Sequence, residues 1–164
     1  MKTLKRILAA TTLLVTLGFA SEANAQVPLE NFFKNPEKAG YQISPDGKYF
    51  SYMAPYENRL NLFVQEVGSD KATRITSETV RDLAGSMWEN GHRILYIKDI
   101  AGDENFQLYG VNVDGTDSKA YTASPKVRTT IIDPLENIDS LVIIGLNKRN
   151  PQVFDPYRLN LNNG

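Results

Sequence analysis

The sequence predicts an all-β chain: a partial β-propeller of about three four-stranded antiparallel blades, of which the third is incomplete. One observation is a repeat of strand-like segments at residues 50–53, 94–97 and 141–144, which are 44 and 47 residues apart. Another is a second set of segments, aligned on Phe63, Tyr109 and Tyr157 and spaced 46 and 48 residues apart. Four strands that recur in the same order every 40–50 residues or so indicate propeller blades, whereas a plain β-sandwich predicts no such long period.

The first 25 residues have the pattern of a secretory signal peptide. Basic residues precede an apolar run at 7–20, and Ala23 and Ala25 form an Ala-x-Ala cleavage site. The run is shorter than the roughly 20 apolar residues that cross a bilayer. We therefore expect residues 1–25 to be removed, and the mature chain to reach a bacterial periplasm or the medium without a membrane anchor.

The composition limits the partners and the stabilising chemistry. Lys and Arg total 18 against 19 Asp and Glu, for a net charge of −1, and the basic residues form no stripe. A nucleic-acid partner is not expected from this balance. Because the chain contains no cysteine, it has neither disulfides nor thiolate metal ligands, and its stability must come from packing.

Residues 26–40 are predicted to lead into the propeller, with one short helical turn at 29–34 that Pro36 ends. The first blade is predicted at about 41–77 and contains a tight turn at residues 44–47 (SPDG). Its strands are rich in β-branched and aromatic residues, and no stretch after residue 40 has a sustained helical apolar period.

The second and third blades are predicted at about 81–123 and 127–164. The second has four expected strands, at 84–88, 93–97, 106–113 and 116–121. The third has three, at 129–133, 140–146 and 157–161, and then a turn at 162–164. A propeller closes with at least about four blades, so we expect this chain to be a truncated propeller whose third blade lacks its last strand.

Five segments of the sequence carry a family resemblance. They are residues 43–49, 54–64, 93–96, 102–106 and 145–155, and the last of them (GLNKRNPQVFD) is the most specific. These segments resemble the prolyl oligopeptidase family, and more narrowly its secreted bacterial members labelled dipeptidyl aminopeptidase or acylaminoacyl-peptidase. The resemblance covers about residues 28–164.

This resemblance implies an N-terminal propeller that gates access of peptides to a C-terminal α/β-hydrolase domain with a Ser-Asp-His triad. The sequence departs from the family because it contains no hydrolase domain. None of the matching positions belongs to the triad, so no catalytic residue is carried over. A peptide is therefore an expected substrate only if the chain is joined to such a domain.

The residues themselves offer no hydrolytic site. A nucleophile elbow needs Gly-x-Ser-x-Gly, but Ser86 lies in Ala84-Gly85-Ser86-Met87-Trp88, within a predicted strand. The only histidine, His92, follows Asn90 and Gly91 in a predicted hairpin turn and has no assignable nucleophile. Hydrolysis by this chain alone is therefore not expected.

The remaining polar and aromatic candidates are interpreted as structural, so we predict no catalytic, cofactor-binding or metal-binding residue. Two acidic clusters lack the spacing of an EF-hand and are expected to be solvated loops. A basic pair in a predicted loop could meet a peptide carboxylate but is expected to be solvated. Four aromatic residues are expected to pack between blades. These residues are Asp99, Asp103, Glu104, Asp114 and Asp117; Lys148 and Arg149; and Tyr52, Phe63, Trp88 and Tyr96.

Two functions fit these observations. The favoured one is the propeller portion of an exported serine peptidase. The alternative is a stand-alone periplasmic binding or scaffold module whose open blades are covered by partner chains.

Overall fold

The computed structural model describes residues 27–34, 37–138 and 140–164. The chain divides into two compact units, Met1–Lys34 and Asn35–Gly164. In the described part of the first unit, a 3₁₀ turn covers Leu29–Phe32, where the sequence predicts a helical turn. The predicted signal peptide lies outside the described residues. In the part of the chain that is described, no helix is long and apolar enough to cross a membrane.

The second unit contains three antiparallel sheets, which confirms the predicted all-β partial propeller. The first sheet consists of β1 (Ala39–Ile43), β2 (Tyr49–Tyr56), β3 (Arg59–Glu66) and β4 (Ala72–Arg74). The second consists of β5 (Gly85–Trp88), β6 (Arg93–Lys98), β7 (Gln107–Asn112) and β8 (Lys119–Ala120). The third has the order β11-β10-β9, with β9 at Thr129–Asp133, β10 at Leu141–Asn150 and β11 at Val153–Asn160.

The apolar core lies between neighbouring sheets. One cluster joins the first two sheets and another joins the second and third. Because side chains alternate across a strand, Ile94 and Tyr96 of β6 face the first sheet, whereas Leu95 faces the third. The middle sheet is therefore apolar on both faces. The fully buried members of the two clusters include Leu62, Ile94, Val111, Leu95, Leu108 and Val142.

Cross-strand pairing shows which positions of the three sheets are equivalent. Tyr52 pairs with Phe63 in the first sheet, Tyr96 with Tyr109 in the second and Ile144 with Tyr157 in the third. The alignment of the first segments in the sequence is therefore wrong by one residue at its third copy: the spacings are 44 and 48, not 44 and 47. The slip matters because a one-residue shift moves every side chain of a strand to the opposite face.

Strand bounds differ from the sequence prediction by more than two residues at three places, one of which is the start of β11 at residue 153 and not at 157. The predicted last strand of the second blade, 116–121, shrinks to β8 because Asp114 accepts hydrogen bonds from the Thr116 N–H and hydroxyl and extends the turn. In the third sheet, β10 runs four residues past its predicted end, so residues 147–150 are strand and not loop. The predicted domain and blade boundaries stay predictions.

Candidate functional site at the inner-strand groove

The first strands of the three sheets end beside one groove. This inner-strand groove has a volume of about 580 Å³. Each sheet contributes residues from the end of its first strand or from the connection that follows it. The lining residues are Gln42, Ile43 and Pro45 of the first sheet, Met87, Trp88 and Glu89 of the second, and Pro134, Glu136 and Asn137 after β9.

The turn that follows β1 is fixed by a short network. Ser44 is buried, and its hydroxyl donates to Asp46 Oδ1 at 2.7 Å while accepting the Tyr49 N–H at 2.9 Å. Gly47 has φ = 71°, a left-handed conformation that glycine adopts without strain. The hydrogen bonds from Ser44 and from the Lys48 N–H lower the pKa of Asp46 to about 2.

Direct contacts tie this turn and strand β1 to the neighbouring sheet. The Gln42 side-chain amide donates to the Ser86 carbonyl of β5 at 2.8 Å. Gly91, in the β5–β6 turn, approaches so closely that a Cβ there would lie 2.8 Å from Asp46 Oδ2. The first two sheets are thus held together at the groove by a hydrogen bond and by a close backbone approach.

The third sheet is tied to the second at the same end. The Ser140 N–H, just before β10, donates to Glu89 Oε1 at 3.2 Å. The other oxygen of this carboxylate accepts from Asn90 Nδ2 at 3.0 Å. Glu89 therefore has a structural role in addition to lining the groove.

The lining combines apolar surface with negative charge. Trp88 packs against the core cluster between the first two sheets and also faces the groove, beside Met87 and two prolines. Among the described residues that line it, the only charged ones are Glu89 and Glu136. Such a groove is suited to apolar and cationic groups, because carboxylates in a concave surface attract positive charge.

Ser86 and His92 lie in the elements that the sequence predicts for them. Ser86 lies in β5 as predicted, and it pairs with Tyr96 in β6. His92 is exposed in the β5–β6 turn, where its N–H donates to Asn90 Oδ1 at 2.8 Å.

Asp99 corrects the prediction of a solvated acidic loop. Its side chain is only 2% exposed, and it forms an ion pair with the half-exposed Arg81 at 3.3 Å. It also accepts the Glu104 N–H at 3.2 Å. Burial of a carboxylate requires such partners, so Asp99 holds the loop that joins β6 to β7. Asp103 and Glu104 are exposed, as expected.

The second acidic cluster, Asp114 and Asp117, is exposed, and both carboxylates accept hydrogen bonds. Asp114 shapes its own turn through Thr116, and these hydrogen bonds lower its pKa. Asp117 accepts from Arg93 Nη1 at 2.8 Å. Within the described part of the chain, no group of three or more histidine or acidic side chains is arranged to hold a metal ion.

The basic pair also differs from the prediction of a solvated loop. Lys148 and Arg149 are exposed, but both lie in β10. Arg149 donates to both carboxylate oxygens of Asp155 across the β10–β11 hairpin, at 2.9 and 2.8 Å, and this pairing lowers the pKa of Asp155. The guanidinium of Arg149 is therefore paired with Asp155. Lys148 lines a second cavity beside β11.

Sequence reasoning did not find the inner-strand groove. Gln42, Pro134 and Glu136 belong to no recognisable motif, and Gln42 lies about 90 residues before the other two. The only local pattern in the groove-lining segments is the occurrence of prolines and turn residues at strand ends. They predict connections between strands, not a shared groove.

Comparisons with curated proteins give two relatives. Dipeptidyl aminopeptidase BIII of Pseudoxanthomonas mexicana is 33% identical over 134 residues, which are 80% of this chain and 19% of that protein. Dipeptidyl peptidase family member 6 of Caenorhabditis elegans is 29% identical over 157 residues, 90% of this chain and 21% of that protein. The chain thus spans about a fifth of the length of these relatives. No family model matches the sequence.

Solved structures support the same fold. A TolB-like protein of Agrobacterium tumefaciens superposes with a TM-score of 0.56 at 21% identity and covers 80% of this chain and 48% of that one. An acylaminoacyl peptidase of Pyrococcus horikoshii superposes with a TM-score of 0.54 at 13% identity and covers 77% of this chain and 24% of that one. At these identities the likeness concerns the fold.

Proposed function

We propose that this chain, a peptidase-related β-propeller similar to the prolyl oligopeptidase family, gates the access of peptides to an α/β-hydrolase domain of a serine peptidase. The two curated relatives carry peptidase names and extend well beyond the matched region. In this proposal the propeller supplies selection by size and charge, and the hydrolase domain supplies the nucleophile and base.

The observation that carries the proposal is the inner-strand groove. In a propeller, the first strands of the blades surround a central channel. The groove is lined by residues at the ends of all three first strands, and hydrogen bonds at 2.8 and 3.2 Å cross both sheet boundaries there. A peptide that enters by such a channel would meet this surface.

The charge of the groove suggests what it selects. A peptide carries a positive amino terminus, which the carboxylates of Glu89 and Glu136 would attract over roughly a Debye length of 8–10 Å. Trp88 and Met87 provide apolar contact for a side chain. Unstructured peptides with a free amino group should therefore pass more readily than folded or N-acylated ones.

A chimera tests this function. Residues 37–164 replace the matching segment of the Pseudoxanthomonas mexicana dipeptidyl aminopeptidase, and cleavage of a dipeptide p-nitroanilide is compared with cleavage of N-acetylated and longer peptides. We expect Glu136→Gln to reduce the preference for free amino termini about twofold to tenfold, as expected for loss of one partly screened charge.

The matched control is Asp70→Asn, which removes an exposed carboxylate in the turn between β3 and β4. It should leave the preference unchanged. The unchanged chimera, its Glu136→Gln variant and its Trp88→Ala variant are compared, provided that each is folded and active. If all three have the same substrate preference, the gating role is contradicted.

We propose further that the chain is exported. The support is the basic, apolar and Ala-x-Ala pattern of residues 1–25. Expression in a Gram-negative host followed by mass spectrometry of the periplasmic fraction is expected to give a chain that begins at Gln26. Recovery of the uncleaved chain from the cytoplasm alone would refute export.

A further inference from the structure

The turn between β5 and β6 contains an asparagine followed directly by a glycine. Asn90 and Gly91 lie between Trp88, which ends β5, and Arg93, which begins β6. Both turn residues are partly exposed, so water reaches them. The same turn borders the inner-strand groove through Glu89. A chemical change at Asn90 would therefore take place beside the groove.

An asparagine before a glycine is prone to lose its side-chain amide. The backbone nitrogen of the next residue can attack the carbonyl carbon of the asparagine side chain, Cγ, and close a five-membered ring. Glycine favours this attack because it has no Cβ to crowd its nitrogen and because its backbone adopts conformations that other residues avoid. Among the described residues, no acceptor is hydrogen-bonded to the Gly91 N–H, so ring closure breaks no hydrogen bond of that group.

The side chain of Asn90 is held across this glycine. Its Oδ1 accepts the His92 N–H at 2.8 Å, so the side-chain carbonyl spans Gly91 in an Asx-turn. The hydrogen bond to Oδ1 also draws electron density from Cγ and stabilises the oxyanion that an attack on Cγ forms. This contact therefore keeps the carbonyl near the Gly91 nitrogen and makes its carbon more electrophilic.

We propose that Asn90 is a site of spontaneous deamidation, in which the Gly91 nitrogen displaces the side-chain nitrogen of Asn90 as ammonia. The bond between the Gly91 nitrogen and Cγ forms while that nitrogen gives its proton to hydroxide. The Cγ–Nδ2 bond then breaks, and Nδ2 takes a proton from water. Water next opens the cyclic imide at either carbonyl, which gives aspartate or isoaspartate at position 90. Water is the only co-reactant, and the inference does not depend on the proposed gating role.

The product places a new carboxylate beside an existing one. Asn90 Nδ2 donates to Glu89 Oε2 at 3.0 Å, and a carboxylate at position 90 has no proton to donate at neutral pH. Two carboxylates at that separation repel each other. Because Glu89 also accepts the Ser140 N–H at 3.2 Å, its displacement would weaken the tie between the second and third sheets.

Isoaspartate would also affect the contact with the first sheet. It adds one backbone carbon directly before Gly91, where a Cβ would lie 2.8 Å from Asp46 Oδ2. The turn is closed by the N–H groups of Glu89 and Asn90, which donate to the Arg93 carbonyl at 3.0 and 3.5 Å. A longer backbone is not expected to keep these bonds and the close approach to Asp46 together. Deamidation should therefore loosen the contacts that hold the three sheets at the inner-strand groove.

Incubation of the purified chain at mildly alkaline pH, followed by trypsin digestion and mass spectrometry, tests the site. Cleavage after Arg81 and Arg93 releases residues 82–93, in which Asn90 is the only side-chain amide. Deamidation raises the mass of this peptide by the difference between a hydroxyl and an amino group. We expect the modified fraction to grow with time, and to grow faster at higher pH because the attacking nitrogen must lose its proton. Chromatography should separate an isoaspartate product from the aspartate product.

Asn58 supplies the control within the same sample. It is exposed in the turn between β2 and β3, but the residue after it is Arg59, whose side chain hinders the attack. Trypsin releases it in residues 49–59. We expect residues 82–93 to be modified several times faster than residues 49–59. Equal modification of the two peptides, or an unmodified peptide 82–93, would overturn the proposal.

A pair of variants tests the effect of the product on the fold. Asn90→Asp reproduces one product, whereas Asn90→Ser keeps an acceptor for the His92 N–H and has no amide to lose. We expect the thermal midpoint of Asn90→Asp at neutral pH to lie about 2–5 °C below that of Asn90→Ser. In a Glu89→Gln background this difference should shrink, because the repelling carboxylate is gone.

The two backgrounds decide the structural part of the inference. Equal midpoints of Asn90→Asp and Asn90→Ser would show that deamidation does not loosen the sheets. A difference that stays the same in the Glu89→Gln background would show that repulsion between the two carboxylates is not the cause. Either result would overturn the proposed effect on the groove.

Discussion

Thr76 Oγ1 donates a hydrogen bond to Asn61 Oδ1 at 2.9 Å, in a position where both residues are buried. Asn61 also accepts the Glu78 N–H at 2.7 Å and donates to the Glu78 carbonyl at 2.8 Å. The pair therefore ties the third strand of the first sheet to the segment that leads into the second sheet.

The second sheet repeats this arrangement 46 residues later. Gln107 takes the place of Asn61 and donates to the carbonyls of Ser124 and Val127, while the Thr122 hydroxyl accepts the Leu108 N–H at 2.8 Å. A buried amide thus anchors the exit from each of the first two sheets. We infer that these amides fix where one sheet ends and the next begins.

Removing the Thr76 hydroxyl should destabilise the fold. Thr76→Val keeps the shape of the side chain but leaves the Leu62 N–H without its acceptor and Asn61 with one donor fewer. We expect a loss of about 1–3 kcal/mol in the free energy of unfolding, the cost of unsatisfied buried polar groups. Urea denaturation followed by circular dichroism measures it.

The control is Thr73→Val in β4, where the threonine is exposed. It should change the unfolding free energy by less than about 0.5 kcal/mol. If both variants lose the same stability, the hydrogen bond is not the cause.

Gly145 in β10 should not tolerate a side chain. A Cβ there would lie 2.8 Å from Thr130 Cγ2 and 3.3 Å from both Ile132 Cδ1 and Phe154 Cβ. Gly145→Ala should therefore cost about 1–3 kcal/mol, as overpacking does. Gly85→Ala is the comparison, because its Cβ would meet only Ile97 at 3.9 Å or beyond. Equal thermal midpoints of the two variants would contradict the steric account.

Asp46 should make the stability depend on acid pH. Its folded-state pKa of about 2 lies below the ordinary value of 3.8, so the ionised form stabilises the native state above about pH 4. That contribution is lost as the pH falls toward 2. The thermal midpoint of Asp46→Asn should lie below that of the unchanged protein at pH 7, and the difference should narrow between pH 4 and pH 2. A difference that is constant with pH would rule out the carboxylate as its source.

The chain alone should not hydrolyse peptides. Ser86 lies in strand β5 and His92 in an exposed turn, and neither is part of a nucleophile elbow. We expect no turnover of dipeptide p-nitroanilides above the buffer rate, and no change on Ser86→Ala or His92→Ala. Turnover that disappears in the His92→Ala variant would disprove this expectation.

The family resemblance drawn from the sequence is confirmed by the peptidase names of the relatives. The predicted fold class is confirmed as well. It could be predicted because the repeat consists of strands and turns, which residues close together in the chain specify. Turn residues such as Asp46 and Gly47, and apolar segments at a fixed spacing, specify strands and hairpins without knowledge of the rest of the chain.

Register and burial were harder to predict. The sequence aligns the third copy of the first segment one residue away from its position in the structure. The reason is that residues 141–144 are all aliphatic, so their pattern does not indicate which face of the strand is buried. The sequence predicts Asp99 in a solvated loop, because its partner Arg81 is 18 residues away and no local pattern links the two.

The sequence by itself determined the strands, the turns, the repeat and the absence of a nucleophile elbow, since each depends on residues that are close together in the chain. The tertiary structure alone decided the inner-strand groove and the burial of Asp99. The groove depends on how the three sheets, whose equivalent positions lie more than 40 residues apart, are placed against one another. The burial of Asp99 depends on its contact with Arg81, 18 residues away. Both are set by side-chain packing, and the types of the packed side chains are compatible with many other arrangements.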